Sequence, residues 1–278
     1  MKKVVRMLGL CALVALAFTS CKKNETNSTV TFKATMPQTV SDSRTYMDDY
    51  GFVLWSGNEQ LAVYNLAGER DKATYKSGKD SGVANFVGDG TFFANITSPN
   101  EYVAYYPVVS PDEVKMVLPD EQQFVAYSFD NNLYPMYALN DANKNFEFHS
   151  DAGILTIRVK MDIDSQNTYT IDHILLEATD TNDQLVGTMT YVWDSPFTGT
   201  PSYTKTLTSS TVDLLGCNTE PLSKDARDFN FVLFEGALAN GFTVTLYLSN
   251  GQELSYTTSN NLPIAAQQRT LMQTIVLN

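Results

Sequence analysis

The stretch AGILTIRVKMDI, at positions 152–163, decides the fold class. Its side chains alternate between an apolar series and a more polar one: Leu155, Ile157, Val159 and Met161 against Ile154, Thr156, Arg158 and Lys160. A two-residue period of this kind predicts a β-strand with one face buried in a core.

Shorter runs with β character lie on both sides of this stretch, and helical periodicity of useful length is absent. Turns rich in Gly and Asp, such as residues 77–82 and 88–90, separate the runs. Many short strands joined by turns predict an all-β sandwich or barrel. The other predicted strands are 30–34, 52–55, 61–64, 83–87, 91–95, 102–106, 114–118, 171–178, 185–193, 203–207, 212–215, 229–234, 242–248, 253–257 and 271–277.

A polar stretch at residues 130–144 interrupts the strand pattern near the middle of the chain. We therefore place a domain boundary near residue 148, which gives an N-terminal β domain at 30–148 and a C-terminal β domain at 149–278. No Pro-rich or Gly/Ser-rich linker separates them, so we expect two closely coupled domains.

The first residues have the features of an export signal. Lys2, Lys3 and Arg6 supply positive charge, and the apolar run at 4–18 is shorter than the about 20 residues of a membrane-spanning helix. Residues 1–20 are therefore predicted to be a cleavable signal peptide. Phe18-Thr19-Ser20-Cys21 has the form of a bacterial lipobox, which predicts lipidation of Cys21 and a polar spacer at 21–29. The alternative is an ordinary signal peptide followed by an incidental cysteine.

The charge of the chain excludes several classes of partner. Removal of Lys2, Lys3 and Arg6 leaves 16 basic residues against 31 acidic ones, a net charge of −15. Nucleic-acid binding requires a basic patch, and anionic lipids attract basic segments. We therefore expect no nucleic acid as a partner and membrane attachment only through the lipid anchor.

Residues for catalysis or metal binding are sparse. Cys217 is the one cysteine beyond Cys21, so no intrachain disulfide or thiol–metal cluster is predicted. His149 and His173 lack partners at metal-ligand spacing, and nucleophile-elbow, Walker and zinc-protease motifs are absent. The acidic loop 180–183 lacks calcium-loop spacing and is better explained as a hairpin turn. The sequence predicts no enzyme, no metal and no cofactor.

A series of short motifs resembles the fimbrillin-like lipoproteins of Bacteroidales, which are the pilin and pilin-associated subunits of major and minor fimbriae. Each motif is weak by itself, but their order and spacing together are moderately specific. They span most of the mature chain: Cys21, TFKA (31–34), SRTY (43–46), VLWSGNEQLAVY (53–64), AYYP (104–107), LPDEQQ (118–123) and FEFHSDAGIL (146–155). Asn58 stands where the family usually has aspartate, and Ala265-Ala266-Gln267-Gln268 replaces a usual glycine.

This resemblance implies two transthyretin-like β-sandwich domains and a lipid-anchored outer-membrane protein that is a fimbrial subunit or a fimbrium-associated adhesin. Its partners would be other fimbrial subunits, with an unknown surface ligand. In shaft members an Arg-specific protease removes the N-terminal segment, and a strand from the next subunit fills the vacated groove. The resemblance makes Arg44 the candidate cleavage point, with the alternative that it is never cut.

The strand at 271–277 is the candidate donor or terminal strand. Its alternation places Leu271, Gln273, Ile275 and Leu277 on one face. A different class of function also fits the composition, namely a lipid-anchored glycan-binding protein with exposed aromatic rings on one face of a domain.

Overall fold

The computed structural model describes residues 29–37, 53–93, 97–108, 115–130, 132–192, 202–219 and 221–278. The predicted signal peptide, Cys21 and Arg44 lie outside the described residues. Within those ranges every regular element is a strand except one four-residue helix, so the all-β prediction is confirmed. The described residues include no helix that is long and apolar enough to cross a membrane.

A seven-stranded sheet in the order β10-β1-β4-β3-β2-β5-β9 dominates the first half of the chain. Its strands pair antiparallel except for β1 and β10, which pair parallel. The elements of this half are β1 (Thr29–Thr35), β2 (Gln60–Asn65), β3 (Arg70–Ser77), β4 (Val83–Asp89), α1 (Gly90–Phe93), β5 (Tyr102–Tyr106), β6 (Lys115–Leu118), β7 (Glu121–Val125), β8 (Ser128–Phe129), β9 (Met136–Leu139) and β10 (Phe146–Glu147).

Three further sheets contain the second half. Their orders are β16-β11-β19 with β20 also on β11, β18-β17-β12-β15-β7-β8, and β14-β13-β6. The strands are β11 (Ala152–Met161), β12 (Ile171–Ala178), β13 (Val186–Val192), β14 (Ser202–Ser209), β15 (Thr211–Leu215), β16 (Arg227–Phe234), β17 (Phe242–Leu248), β18 (Glu253–Thr258), β19 (Arg269–Leu271) and β20 (Ile275–Leu277).

The segment from β6 to β8 connects the two halves of the chain. It precedes residue 148, yet β6 pairs with β13 and β7 pairs with β15. The chain then returns to the first sheet through β9 and β10. The boundary near residue 148 stays a prediction, and the pairing shows that strands from before it complete two sheets of the second half.

Tyrosine side chains pack the first sheet against the sheet of β13. The ring of Tyr191 lies 5.9 Å from Tyr105 and 5.0 Å from Tyr137, centroid to centroid. The Tyr191 hydroxyl donates a hydrogen bond of 2.6 Å to Asp151. Burial, then the charge of Asp151, raises the pKa of Tyr191 far above its usual value. The hydroxyl therefore stays protonated and remains a donor to Asp151 at neutral pH.

The prediction of a strand at 91–95 is wrong for its described residues, because helix α1 covers Gly90–Phe93. The carboxylate of Asp89 accepts hydrogen bonds from the backbone N–H groups of Thr91 and Phe92, at 2.7 and 3.2 Å, and so starts a helical turn. The turn places the Phe93 ring against Gly88, where a Cβ atom would lie 1.9 Å from the ring. Local capping therefore overrides the β propensity of Phe92 and Phe93.

The predicted hairpin at 180–183 is also wrong. Backbone N–H of Asn182 binds the carboxylate of Asp180 at 2.9 Å, so a turn is present. However, β12 and β13, which the turn connects, belong to different sheets. The loop therefore leads the chain from one layer to another.

Candidate functional site

The first strand, β1, is held along its whole length by β4. The antiparallel register runs from Thr29 opposite Asp89 to Thr35 opposite Val83. On its other side β1 has a short parallel contact, in which Ala34 lies opposite Phe146. β1 therefore lies between two strands, and its backbone pairs cover the adjoining edge of β4.

Phe32 is the main apolar anchor of β1 and is buried. Its ring lies 5.0 Å from Phe146, 5.3 Å from Phe93 and 6.3 Å from Phe86. These three rings form a pocket, which we call the Phe32 pocket, with contributions from β10, α1 and β4. Ala34, one alternation further along β1, is also buried.

Trp55, a residue of the motif VLWSGNEQLAVY, holds the end of β1. Its indole N–H donates a hydrogen bond of 3.1 Å to the carbonyl of Ala34, and the residue is fully buried. The backbone N–H of Phe148 binds the carbonyl of Thr35 at 2.8 Å. The motif at 53–64, which contains Trp55, and the motif at 146–155 thus both contact β1. The two motifs are far apart in the sequence but are neighbours in the fold.

The C-terminal strands β19 and β20 both pair parallel with β11. Together they form one edge strand with a break between Leu271 and Ile275. Thr156 lies opposite Leu271 and Val159 lies opposite Ile275, so the C-terminal segment has one more residue than β11 between these two pairs. An extra residue reverses the faces of the strand. The prediction that Leu271, Gln273, Ile275 and Leu277 share a face is therefore wrong: Leu271 and Gln273 are exposed, whereas Ile275 and Leu277 are buried.

An ionic network fixes β19 to its sheet. Asp228 on β16 binds Arg158 on β11 through two contacts of 2.6 and 2.8 Å, and binds Arg269 on β19 at 2.6 Å. Burial alone would raise the pKa of Asp228, but the hydrogen bonds and charges of the two arginines outweigh it and lower the pKa. Arg269 also donates to the hydroxyl of Thr156 at 2.8 Å.

Gln122, from the motif LPDEQQ, ties β7 to the edge of β16. Its side-chain amide donates to the carbonyl of Val232 at 2.8 Å and accepts from the Val232 N–H at 3.0 Å. A buried amide that pairs with both backbone groups of one residue acts as a single rung of a β-ladder and satisfies the backbone of an edge strand at that position. The sequence motif indicated this residue, but only the structure shows its partner.

An open groove of about 530 Å³ lies beside the C-terminal edge. One wall comes from β18 and the loop after it, with Tyr256 and Leu262, and the other wall from Met272 and Ile275. The groove thus separates two edge strands of different sheets.

The remaining candidate residues do not assemble a reactive centre. Cys217 is fully buried, and burial raises its pKa to about 12, so almost no thiolate exists at neutral pH. His149 lies beside Tyr137, and His173 stacks on Tyr247 at 4.2 Å. Among the residues that the structure describes, no group of three or more His, Cys, Asp or Glu side chains could hold a metal ion.

Exposed aromatic rings, which a glycan-binding surface would use, are dispersed in the described ranges. Tyr127 is 70% exposed in the turn between β7 and β8, and Tyr203 is 42% exposed on β14. The two belong to different sheets. This arrangement gives no support to the glycan-binding alternative.

Two solved structures resemble the chain over nearly its whole length. A candidate cell adhesion protein from Bacteroides ovatus has a TM-score of 0.53 and 10% identity, covering 90% of this chain and 92% of that protein. A candidate cell adhesion protein from Bacteroides uniformis has a TM-score of 0.53 and 16% identity, covering 91% and 93%. The chain shares their fold. No protein-family model and no curated protein matches the sequence.

Proposed function

We propose that the chain is a fimbrial subunit or fimbrium-associated adhesin of the cell surface, exported as a lipoprotein and tethered to the outer membrane through Cys21. The shared fold with two cell adhesion candidates supports adhesion, and the ordered motifs of the sequence support the fimbrial role. Both proteins of the shared fold are named for adhesion and neither for catalysis, which supports a non-enzymatic function. The partners are other fimbrial subunits, and the lipid is the contact with the membrane.

The observation that carries the proposal is the position of β1 in both sequence and space. β1 ends at Thr35, and Cys21 and Arg44 flank it in the chain. A single cut after Arg44 would separate both the lipid anchor and β1 from the rest of the protein. Release of β1 would then expose the backbone groups of β4 next to the Phe32 pocket, which is a template for a strand of another subunit.

The C-terminal segment is the proposed donor of that strand. β19 and β20 lie at an edge of their sheet, beside the open groove, and each is only three residues long. Ile275 and Leu277 alternate as buried apolar side chains in β20. The same alternation in Phe32 and Ala34 fills the slot beside β4, so the two strands are interchangeable in pattern.

Limited proteolysis tests this assembly. The mature chain, residues 21–278, is treated with an Arg-specific protease, and the products are resolved in mild denaturant without heating. We expect a ladder of oligomers that appears only after cleavage, because an exchanged strand dissociates slowly. Arg44→Gln is the matched control and should give no ladder in the mild denaturant.

Mass spectrometry of the native N-terminus completes the test, because it reports acylation of Cys21 and cleavage after Arg44 in one measurement. A native chain that begins at residue 45 supports a shaft subunit, and an acylated chain that begins at Cys21 supports an anchored subunit. A native chain that begins elsewhere, without lipid, contradicts the lipoprotein assignment. Cleaved protein that remains monomeric contradicts strand exchange.

A further inference from the structure

The sheet β18-β17-β12-β15-β7-β8 has an acidic outward side. The alternation of these strands directs Glu253, Glu177, Asp213 and Glu121 away from the core, and Asp172 joins them at a bulge in β12. The six strands contain no lysine or arginine. We call the outward side formed by these five carboxylates the acidic face.

The centre of the acidic face is flat and partly apolar. The His173 and Tyr247 rings stack with an interplanar angle of 9°, and Leu175 and Leu215 are half-buried beside them. One carboxylate oxygen of Asp213 is buried without a hydrogen-bond partner. A flat surface with an apolar centre and a charged surround has the composition of a protein interface.

A second surface, on the seven-stranded sheet, has the opposite charge. Lys33 on β1 and Lys72 and Lys76 on β3 are exposed on its outward side. The Lys76 ammonium group donates to the Thr31 hydroxyl on β1 at 3.2 Å, which holds this side chain across the sheet. We call the surface of these three lysines the basic face; Asp89 is exposed on β4, between β1 and β3, and Glu147 is exposed on β10 beside β1.

We propose that the acidic face of one copy of this chain packs on the basic face of a second copy. Opposite charges on two flat sheets of the same molecule make a second copy the partner whose charge is complementary. The two faces are different surfaces, so the contact is heterologous and propagates into open rows of molecules. It requires no strand exchange and is independent of cleavage at Arg44.

The size of the two faces determines how strongly two copies of the chain are expected to associate. Strands about 4.8 Å apart give the acidic face, from β18 to β7, a width of roughly 20 Å, and the basic face, from β1 to β3, a width of roughly 10 Å. The shared area is therefore smaller than that of a standard specific interface, and its ion pairs are exposed. The association is therefore weak and falls as salt rises.

Sedimentation velocity of the mature Arg44→Gln chain tests the contact between the acidic face and the basic face. Arg44→Gln is used because it keeps β1 in place. We expect concentration-dependent association at about 50 mM NaCl that becomes about tenfold weaker at about 500 mM. Two variants, Lys72→Glu/Lys76→Glu and Glu177→Lys/Glu253→Lys, should each be monomeric. An equimolar mixture of the two should associate again, because each then offers the other a complementary face.

Lys144→Glu/Lys224→Glu changes the net charge by the same amount as Lys72→Glu/Lys76→Glu, but outside both faces. This control variant should associate as the unmodified chain does. Circular dichroism and thermal melting verify that every variant is folded. A chain that stays monomeric at low salt overturns the proposal, as does a mixture of the two face variants that fails to associate. Association that is unchanged by either double reversal also overturns it.

Discussion

Replacement of Phe32 by alanine is expected to lower the free energy of unfolding by about 3–5 kcal/mol, the range for removal of a buried aromatic ring. The side chain is 3% exposed and touches rings from three separate elements. Those rings are held by their own elements and cannot close around the space that is left, so a cavity remains. Denaturant unfolding of the mature chain measures the loss.

Lys33→Ala, one residue further along β1, is the matched control and should change stability by less than about 0.5 kcal/mol, because its side chain is exposed. Phe32→Ala should also speed the appearance of the oligomer ladder after cleavage, since β1 is held less tightly. A loss below about 1 kcal/mol would show that the Phe32 pocket does not anchor β1.

Replacement of Asp228 by asparagine is expected to cost about 2–3 kcal/mol. Loss of one partner from a buried ion pair costs about 3–5 kcal/mol, and this value is reduced because the Arg158 side chain is 34% exposed. Without the carboxylate, Arg158 on β11 and Arg269 on the neighbouring β19 lie close together with no shared counter-charge, and β19 loses an ionic contact with the sheet. Asp172→Asn is the control, with an expected cost below about 0.5 kcal/mol, because the Asp172 side chain is 53% exposed.

The effect of Asp228 depends on pH in a defined direction. Its pKa is lowered in the folded protein, so its contribution is complete above the unfolded value of about 3.9 and is lost as pH falls through the folded value. The difference in stability between the unmodified chain and Asp228→Asn should therefore be largest near neutral pH and should shrink below about pH 4. Unfolding curves at a series of pH values measure this difference, and a constant difference across the series would contradict the assignment.

The all-β class could be predicted because each strand carries its own signal. In β11 burial follows the two-residue period of the sequence at its C-terminal end, where Arg158 and Lys160 are half-buried between buried Ile157, Val159 and Met161, whereas residues 152–157 are buried on both faces. The helix at Gly90–Phe93 could not be predicted in the same way, because it depends on one carboxylate, that of Asp89, which accepts hydrogen bonds from the N–H groups of its first turn. The β propensity of a residue does not include the effect of one capping hydrogen bond from a neighbouring side chain.

The faces of the C-terminal strand and the ionic network escaped prediction for a different reason, since both depend on register. The single extra residue between Leu271 and Ile275 is defined only by the pairing with β11. Asp228 meets Arg158 across a separation of 70 residues, and no sequence periodicity encodes that distance. A signal was present in the alternation of Asp228 and Asn230 within a strand that is otherwise apolar after Arg227, which indicates a polar row next to the core.

The central claim is that β1 must leave its position beside β4 before subunits join. It can be tested with a disulfide between β1 and β4, here called the β1 staple, which is reversible by reduction. Lys33 and Asn85 lie opposite each other in β1 and β4, and opposed strand positions have the spacing that a disulfide needs. Lys33→Cys/Asn85→Cys protein is cleaved after Arg44 and compared in oxidised and reduced form. Cys217 is buried and does not interfere. A Thr243→Cys/Thr257→Cys staple between β17 and β18, away from β1, is the control.

We predict that the oxidised β1 staple gives monomers, that reduction releases the oligomer ladder, and that the control staple permits the ladder in both states. A ladder of equal intensity from the oxidised β1 staple would contradict the account.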